Sequence, residues 1–232
     1  MQTFDEELDQ IRQNLATASL EKAGLHGVYQ QATCQLADQL YESVKNGRGV
    51  WLWGLPGRGK TYTAAAIVKR YVDKAQNAKL VSVIDLLNNL KEGFNKTNYF
   101  DLAGLYKLDL LVLDDVGCEK STSWSQEVLT GLVDKRINLQ KPTIYTSNYR
   151  LKDALRVWQP MSAKRFASRV AGSCDFIEIT ADHDLRIKHG NPRAFFICCT
   201  LSSGHEGFRQ QSIEEKPLNN TQNQSVYQEE GN

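Results

Sequence analysis

The stretch Gly54-Leu55-Pro56-Gly57-Arg58-Gly59-Lys60-Thr61 decides how this chain is read. It fits the pattern G-x-x-x-x-G-K-[ST]. Glycines let a backbone curl until successive N–H groups face one anion. The helix predicted to begin at Lys60 adds the positive end of its dipole at the same place. Lys60 can then reach the outer phosphates of a nucleotide, and Thr61 can offer a hydroxyl to a magnesium ion. A chance match in a chain of this length is about a 1% event. The surroundings agree with the reading. The apolar run GVWLWG (49–54) precedes the loop, and residues 60–76 read as a helix with Ala64, Val68, Tyr71 and Val72 on one face.

Outward from the loop, apolar runs alternate with helical patterns. KLVSVI (79–84), LDLLVLDD (108–115), PTIYTSN (142–148) and DFIEI (175–179) read as further strands. A helix is expected after the first of these through Leu90. Another is expected over 124–138, with Val128, Leu132 and Val133 in period and Ser123 with Gln126 offering a capping box. Strands apolar on both faces and separated by helices predict a parallel five-stranded sheet flanked by helices, an α/β fold. Upstream, residues 28–46 carry Ala32, Leu36, Leu40 and Val44 at helical spacing and stop at Asn46-Gly47. Residues 1–20 predict a short helix. The expected organisation is an N-terminal helical segment (1–46), a core (47–200) and a polar, disordered tail (201–232).

The acids and polar strand ends supply the rest of a site. Asp114 and Asp115 close the third apolar strand, and ligands of open α/β sheets gather at that edge. Asp114 would hold magnesium, and Asp115 would orient or deprotonate an attacking water. Asn148, at the end of the fourth strand, could hold that water or sense the outermost phosphate. Arg165 and Arg169 stand four residues apart, on one face of a helix. Alone, such a pair is an ordinary solvated surface feature; beside a nucleotide it could neutralise charge developing on a neighbour's γ-phosphate. The expected cofactors are ATP and Mg2+, with Gly54, Gly57, Gly59, Lys60 and Thr61 binding the nucleotide.

Composition narrows the classes. Of 232 residues, 28 are Lys or Arg and 27 Asp or Glu, so any nucleic-acid contact must come from a local patch. Five cysteines (Cys34, Cys118, Cys174, Cys198, Cys199) form no C-x-x-C pair, which argues against a zinc site or a disulfide framework. No apolar stretch is long enough for a membrane span or a signal peptide, and a cytoplasmic protein is expected.

With these pieces in order, the chain resembles the AAA+ ATPases of the DnaC/IstB group, replicative helicase loaders and transposition helpers. The resemblance covers roughly residues 20–190. It is carried by LDDVGCEKSTSW, with Gly117, Glu119 and Trp124, and by VDKRINLQKPTIYTSN, with Arg136 and the TSN ending. LEKAGLHGVYQQAT is similar to the group's segment near the adenine. The resemblance implies that Asn148 is the first sensor, that Arg169 is the arginine finger with Arg165 beside it, and that Arg186 is a second sensor. It also implies a minimal or absent helical lid, a replicative helicase and single-stranded DNA as partners, and self-association on binding ATP or DNA. Loaders commonly carry a separate N-terminal domain that grips the helicase. Here about 20 to 45 residues precede the core, which leaves that grip to the N-terminal helix, the tail or another surface.

Residues 86–107 are the candidate DNA segment, with Lys91, Lys96 and Lys107 among Phe94, Tyr99, Phe100 and Tyr106. Aromatics packed inward beneath solvated lysines would give the same pattern. The leading expectation is an ATP-driven helicase loader. The alternatives are an IstB-like transposition helper, a P-loop small-molecule kinase and an adaptor that holds ATP without turning it over.

Overall fold

Alternation along each strand explains how one sheet comes to carry two cores. Successive side chains of a strand point to opposite faces. Val50 and Leu52 of β1 (Gly49–Trp53) therefore pack on one side with Leu110 and Val112 of β3 (Leu110–Asp114) and Ile144 of β4 (Thr143–Ser147). Trp51, Leu111, Leu113 and Tyr145 from the same strands pack on the other. A computed structural model describes residues 4–93 and 102–180. The predicted tail, 201–232, and Arg186 lie outside the described residues.

The sheet is five-stranded and parallel, in the order β2-β3-β4-β1-β5, with β2 at Ala78–Ser82 and β5 at Cys174–Glu178. All five expected strands are present; β1, β3 and β4 are trimmed at one or both ends, while β2 and β5 begin one residue earlier and end sooner than expected. The first core face is covered by α2 (Gln35–Lys45), α3 (Lys60–Asp73) and the end of α1 (Phe4–Lys22). Three consecutive alanines, Ala64 to Ala66, let α3 lie close to the sheet. The second face is covered by α4 (Val83–Gly93), α5 (Leu102–Lys107), α6 (Ser123–Asn138), α7 (Leu151–Ala154) and α8 (Pro160–Ser173). None of the described helices is long and apolar enough to cross a membrane.

Several boundaries differ from expectation for local reasons. The run 28–46 is a 3-10 turn at Gly27–Gln31 followed by α2; Cys34 caps α2 by accepting from the Ala37 N–H at 3.4 Å. Ala32 is buried but lies before that helix. The cap of α6 is Thr122, not Ser123, and its capping-box partner is Ser125, not Gln126: each side chain bonds the other residue's backbone N–H. Residues 83 and 84, read as strand, open α4. α1 runs past residue 20, and the Ala23 carbonyl just beyond it accepts from the Leu80 N–H of β2.

Arg136 is fully buried and bonds five oxygens. Its guanidinium donates to Thr143 Oγ1, and to the carbonyls of Leu105, Tyr106, Leu108 and Pro142, at 2.6–3.3 Å. Burial lowers its pKa to about 10, so it remains a cation at neutral pH. It fastens the starts of β3 and β4, at the sheet edge away from the phosphate loop.

Candidate functional site

The order of strands places a crevice beside β1. From β1 the chain crosses to β2 at one edge, steps back through β3 to β4, then jumps over β1 to β5. Ligands of such sheets bind where the direction of stepping reverses, beyond the carboxyl ends of the strands. Residues 54–59 emerge from β1 there. Gly54 has φ of 147°, and a Cβ on it would lie 2.4 Å from the Ile179 carbonyl oxygen just past β5, so no other residue fits without moving that backbone. Gly57 and Gly59 are also left-handed, and Gly59 leads directly into α3.

Lys60 is only 5% exposed. Its ammonium donates to the Gly54 carbonyl at 2.8 Å, to the Leu55 carbonyl at 2.9 Å and to Asn148 Oδ1 at 2.8 Å. The end of β4 is thereby tied to the phosphate loop. Asn148 Nδ2 in turn faces the Cys118 sulfur at 3.8 Å.

Register brings the acids to the same level. Leu52 pairs with Thr146, and Leu113 with Tyr145, so Asp114 comes alongside Thr146. One carboxylate oxygen of Asp114 accepts from Thr61 Oγ1 at 2.9 Å and from Thr146 Oγ1 at 2.6 Å. Burial raises the Asp114 pKa above its ordinary value; the two hydroxyls work against this and the neighbouring Asp115 adds to it. Asp115 has φ of 59° and donates its backbone N–H to the same Thr146 hydroxyl at 3.0 Å. Thr146 therefore orients both acids at once. No role for this residue follows from the sequence alone, although the polar TSN ending of a buried strand is where to look. Next along, Ser147 Oγ donates to the Val116 carbonyl at 2.7 Å, and the buried Glu119 accepts from the Gly117 N–H at 2.7 Å, closing the turn after the acids.

A cavity of about 440 Å³ lies over these groups, lined by Gly57, Gly59, Lys60, Thr61, Asp115 and Asn148. Val28 and Tyr29 form part of its wall, from the segment expected near an adenine. A larger cavity, about 570 Å³, is bordered by Lys45, Asp109 and Lys141 and contains none of the expected site residues.

The donor set suits magnesium. Thr61, which lines the cavity, and Asp114, bonded to it, offer adjacent oxygens, and among the described residues no three His, Cys, Asp or Glu side chains converge into an all-protein cage. Magnesium is typically held by one or two carboxylates together with substrate phosphates.

The arginines lie elsewhere. Arg165 and Arg169 are on α8, neither lines the cavity, and both meet Asp134 of α6. In the candidate DNA segment, Lys91 lies 5.1 Å from the centre of the Trp124 ring, and Tyr106 packs against the core. Phe94, Lys96, Tyr99 and Phe100 fall outside the described residues.

The sequence model of the family described as "IstB-like ATP binding protein" matches residues 16–191. The chain belongs to this IstB-like family. The replicative helicase loader DnaI of Bacillus subtilis (strain 168) is 30% identical over 144 residues, 60% of this chain and 46% of that protein. The replicative helicase loader DnaC of Escherichia coli (strain K12) is 25% identical over 107 residues, 45% of this chain and 44% of that protein. The aligned part thus spans about half the length of these curated relatives. Among solved structures, DnaI superposes with a TM-score of 0.56 at 26% identity, covering 63% of this chain and 82% of that one. The DnaC helicase loader gives 0.52 at 25% identity, covering 69% and 96%. AMPPCP-bound DnaA from Aquifex aeolicus gives 0.55 at 21% identity, covering 66% and 47%, a likeness of fold alone. The IstB-like chain thus has the AAA+ fold expected of it.

Proposed function

We propose that this IstB-like chain is an Mg2+-dependent ATPase that serves as a replicative helicase loader, with residues 47–200 as its ATPase core. The observation that carries the proposal is the convergence of Lys60 on Asn148, and of Thr61 and Thr146 on Asp114, beside one cavity. The partner class rests on the likeness to DnaI and DnaC, each named a replicative helicase loader.

The N–H groups of the glycine loop and the start of α3 would hold the phosphates. Lys60 would exchange a carbonyl for a phosphate oxygen while staying near Asn148. Magnesium, held by Thr61 and Asp114, would supply positive charge to the β- and γ-phosphates. Asp115 would orient a water and take its proton as the water oxygen attacks the γ-phosphorus; the bond to the bridging oxygen breaks and ADP leaves. Asn148 would hold that water or the γ-phosphate in place. The finger role falls to Arg169, offered with Arg165 to the nucleotide of a neighbouring copy, and hydrolysis would switch the assembly between states that hold and release DNA or helicase. Arg186 keeps its proposed role as second sensor, and residues 86–107 theirs as a single-stranded DNA contact.

The test is steady-state ATP hydrolysis with Mg2+, with and without single-stranded DNA, together with co-purification of a replicative helicase in the presence and absence of ATP. Turnover and an ATP-dependent complex are expected. No affinity for ATP with Mg2+ would end the proposal. A second reading, an IstB-like transposition helper, is favoured by the breadth of the family match over residues 16–191. Bending of double-stranded DNA and capture of a transposase in place of a helicase would select it.

A further inference from the structure

Arg165 and Arg169 stand one turn apart on α8, and both reach the same carboxylate on a different helix. One carboxylate oxygen of Asp134, on α6, forms an ion pair with Arg169 Nε, and the other lies 3.9 Å from Nη2 of Arg165. The Asp134 side chain is 24% exposed, against 39% for Arg169 and 59% for Arg165. The two helices are held firmly: Leu129, Leu132 and Val133 of α6 share a core with Phe166 and Val170 of α8. The carboxylate is therefore anchored by a packed helix, while the arginines reach it from the next one.

A partly exposed ion pair adds little to stability. It does fix direction. An unheld arginine spreads over many rotamers, and restricting a side chain of this kind removes considerable freedom. Nor does Asp134 use up the charge it holds, since two guanidiniums share one carboxylate. A guanidinium has five N–H donors, so contact at Nε leaves the fork able to meet a further acceptor.

We infer that Asp134 is the positioning residue for the arginine this chain presents to the triphosphate of a second copy. It touches no nucleotide and acts through Arg169. The inference rests on the shared-site reading of the function. Charge neutralisation in a transition state demands close placement, and small displacements lower rates strongly.

The experiment mixes full-length chains. Lys60→Ala protein keeps the arginine but lacks the phosphate-binding lysine; Arg169→Ala protein is the reverse. Combined, they should regain ATPase activity that neither has alone. The mixture is then repeated with Lys60→Ala/Asp134→Asn and with Lys60→Ala/Asp134→Glu as arginine donors. The Asn donor should deliver less than about one tenth of the regained turnover, with KM for ATP unchanged, and the Glu donor at least about half. Asp134→Asn protein alone should melt at the wild-type temperature and bind fluorescent ATP normally. Full rescue by the Asn donor overturns the inference. Rescue above that of the parent mixture also overturns it, because the ion pair would then withhold the arginine rather than place it. Equal loss in the Asn and Glu donors with a lowered melting temperature shows a merely structural residue and has the same consequence. Failure of the first mixture identifies a different fault, in the shared-site reading itself, before Asp134 is altered.

Discussion

Lys60 and Arg169 are both cations assigned to a phosphate, yet the molecule holds them in opposite ways. Lys60 is buried at the carboxyl edge of the sheet, with three oxygen acceptors from two segments within 2.9 Å. Arg169 sits on the outer part of a helix and meets a single carboxylate. The first arrangement is assembled by strand register and is present in full within one chain. The second is assembled by helix packing and, under the proposed shared site, would gain its target only when another chain arrives. Substitutions at the sheet edge should therefore alter a chain's own site, in binding or in turnover, and substitutions on α8 should alter only what an assembly does.

The sharpest break would come from Arg169→Ala. Turnover should fall about 1,000-fold while ATP affinity stays at the wild-type value, measured by steady-state hydrolysis and by fluorescent-nucleotide titration. A matching loss of affinity would erase the contrast. Lys60→Ala comes next: affinity for ATP should weaken about 100-fold in a single chain, with turnover lost as well. Thr146→Val probes the sheet edge more gently. It removes the hydroxyl that orients Asp114 and the Asp115 amide, and turnover should drop about 10- to 100-fold with affinity little changed. Wild-type turnover in this variant would show that the register contact is incidental.

The smallest effect concerns stability. The Asp114 pKa is raised in the fold, so the folded chain holds its proton more tightly than the unfolded chain does. That contribution favours folding below the ordinary value of 3.8 and is lost as pH rises through the raised one. Without nucleotide or magnesium, Asp114→Asn should thus melt higher than wild type at neutral pH. The gap should close as the pH is lowered towards the ordinary carboxylate range. A gap that stays constant with pH would show that burial of the charge is not its cause.

Much of the sheet was legible because its strands are almost continuously apolar, and a run such as Leu110 to Leu113 has few other readings. The loop from Gly54 to Thr61 was legible because its chemistry is local in sequence. Thr146 was not, since its role depends on β4 lying one register step from β3. Asp134 was hidden for a similar reason: only the packing of α6 on α8 brings it to the arginines. The cap at Cys34 was missed because a thiol is an uncommon acceptor for a helix start, and the Ser123 assignment slipped by one residue because Thr122 and Ser123 can both cap. Arg186 and residues 201–232 remain readings of sequence alone.

The junction between α8 and β5 has a mechanical meaning. The helix ends at Ser173 and the strand begins at Cys174, with no connecting loop. Immediately beyond that strand, Ile179 donates its N–H to the Trp53 carbonyl at 2.7 Å, at the root of the chain's own phosphate loop. If copies assemble as proposed, a tilt imposed on this helix by an adjacent subunit would pass along a stiff rod to the root of the glycine loop, which would set successive sites in series like links of a drive chain.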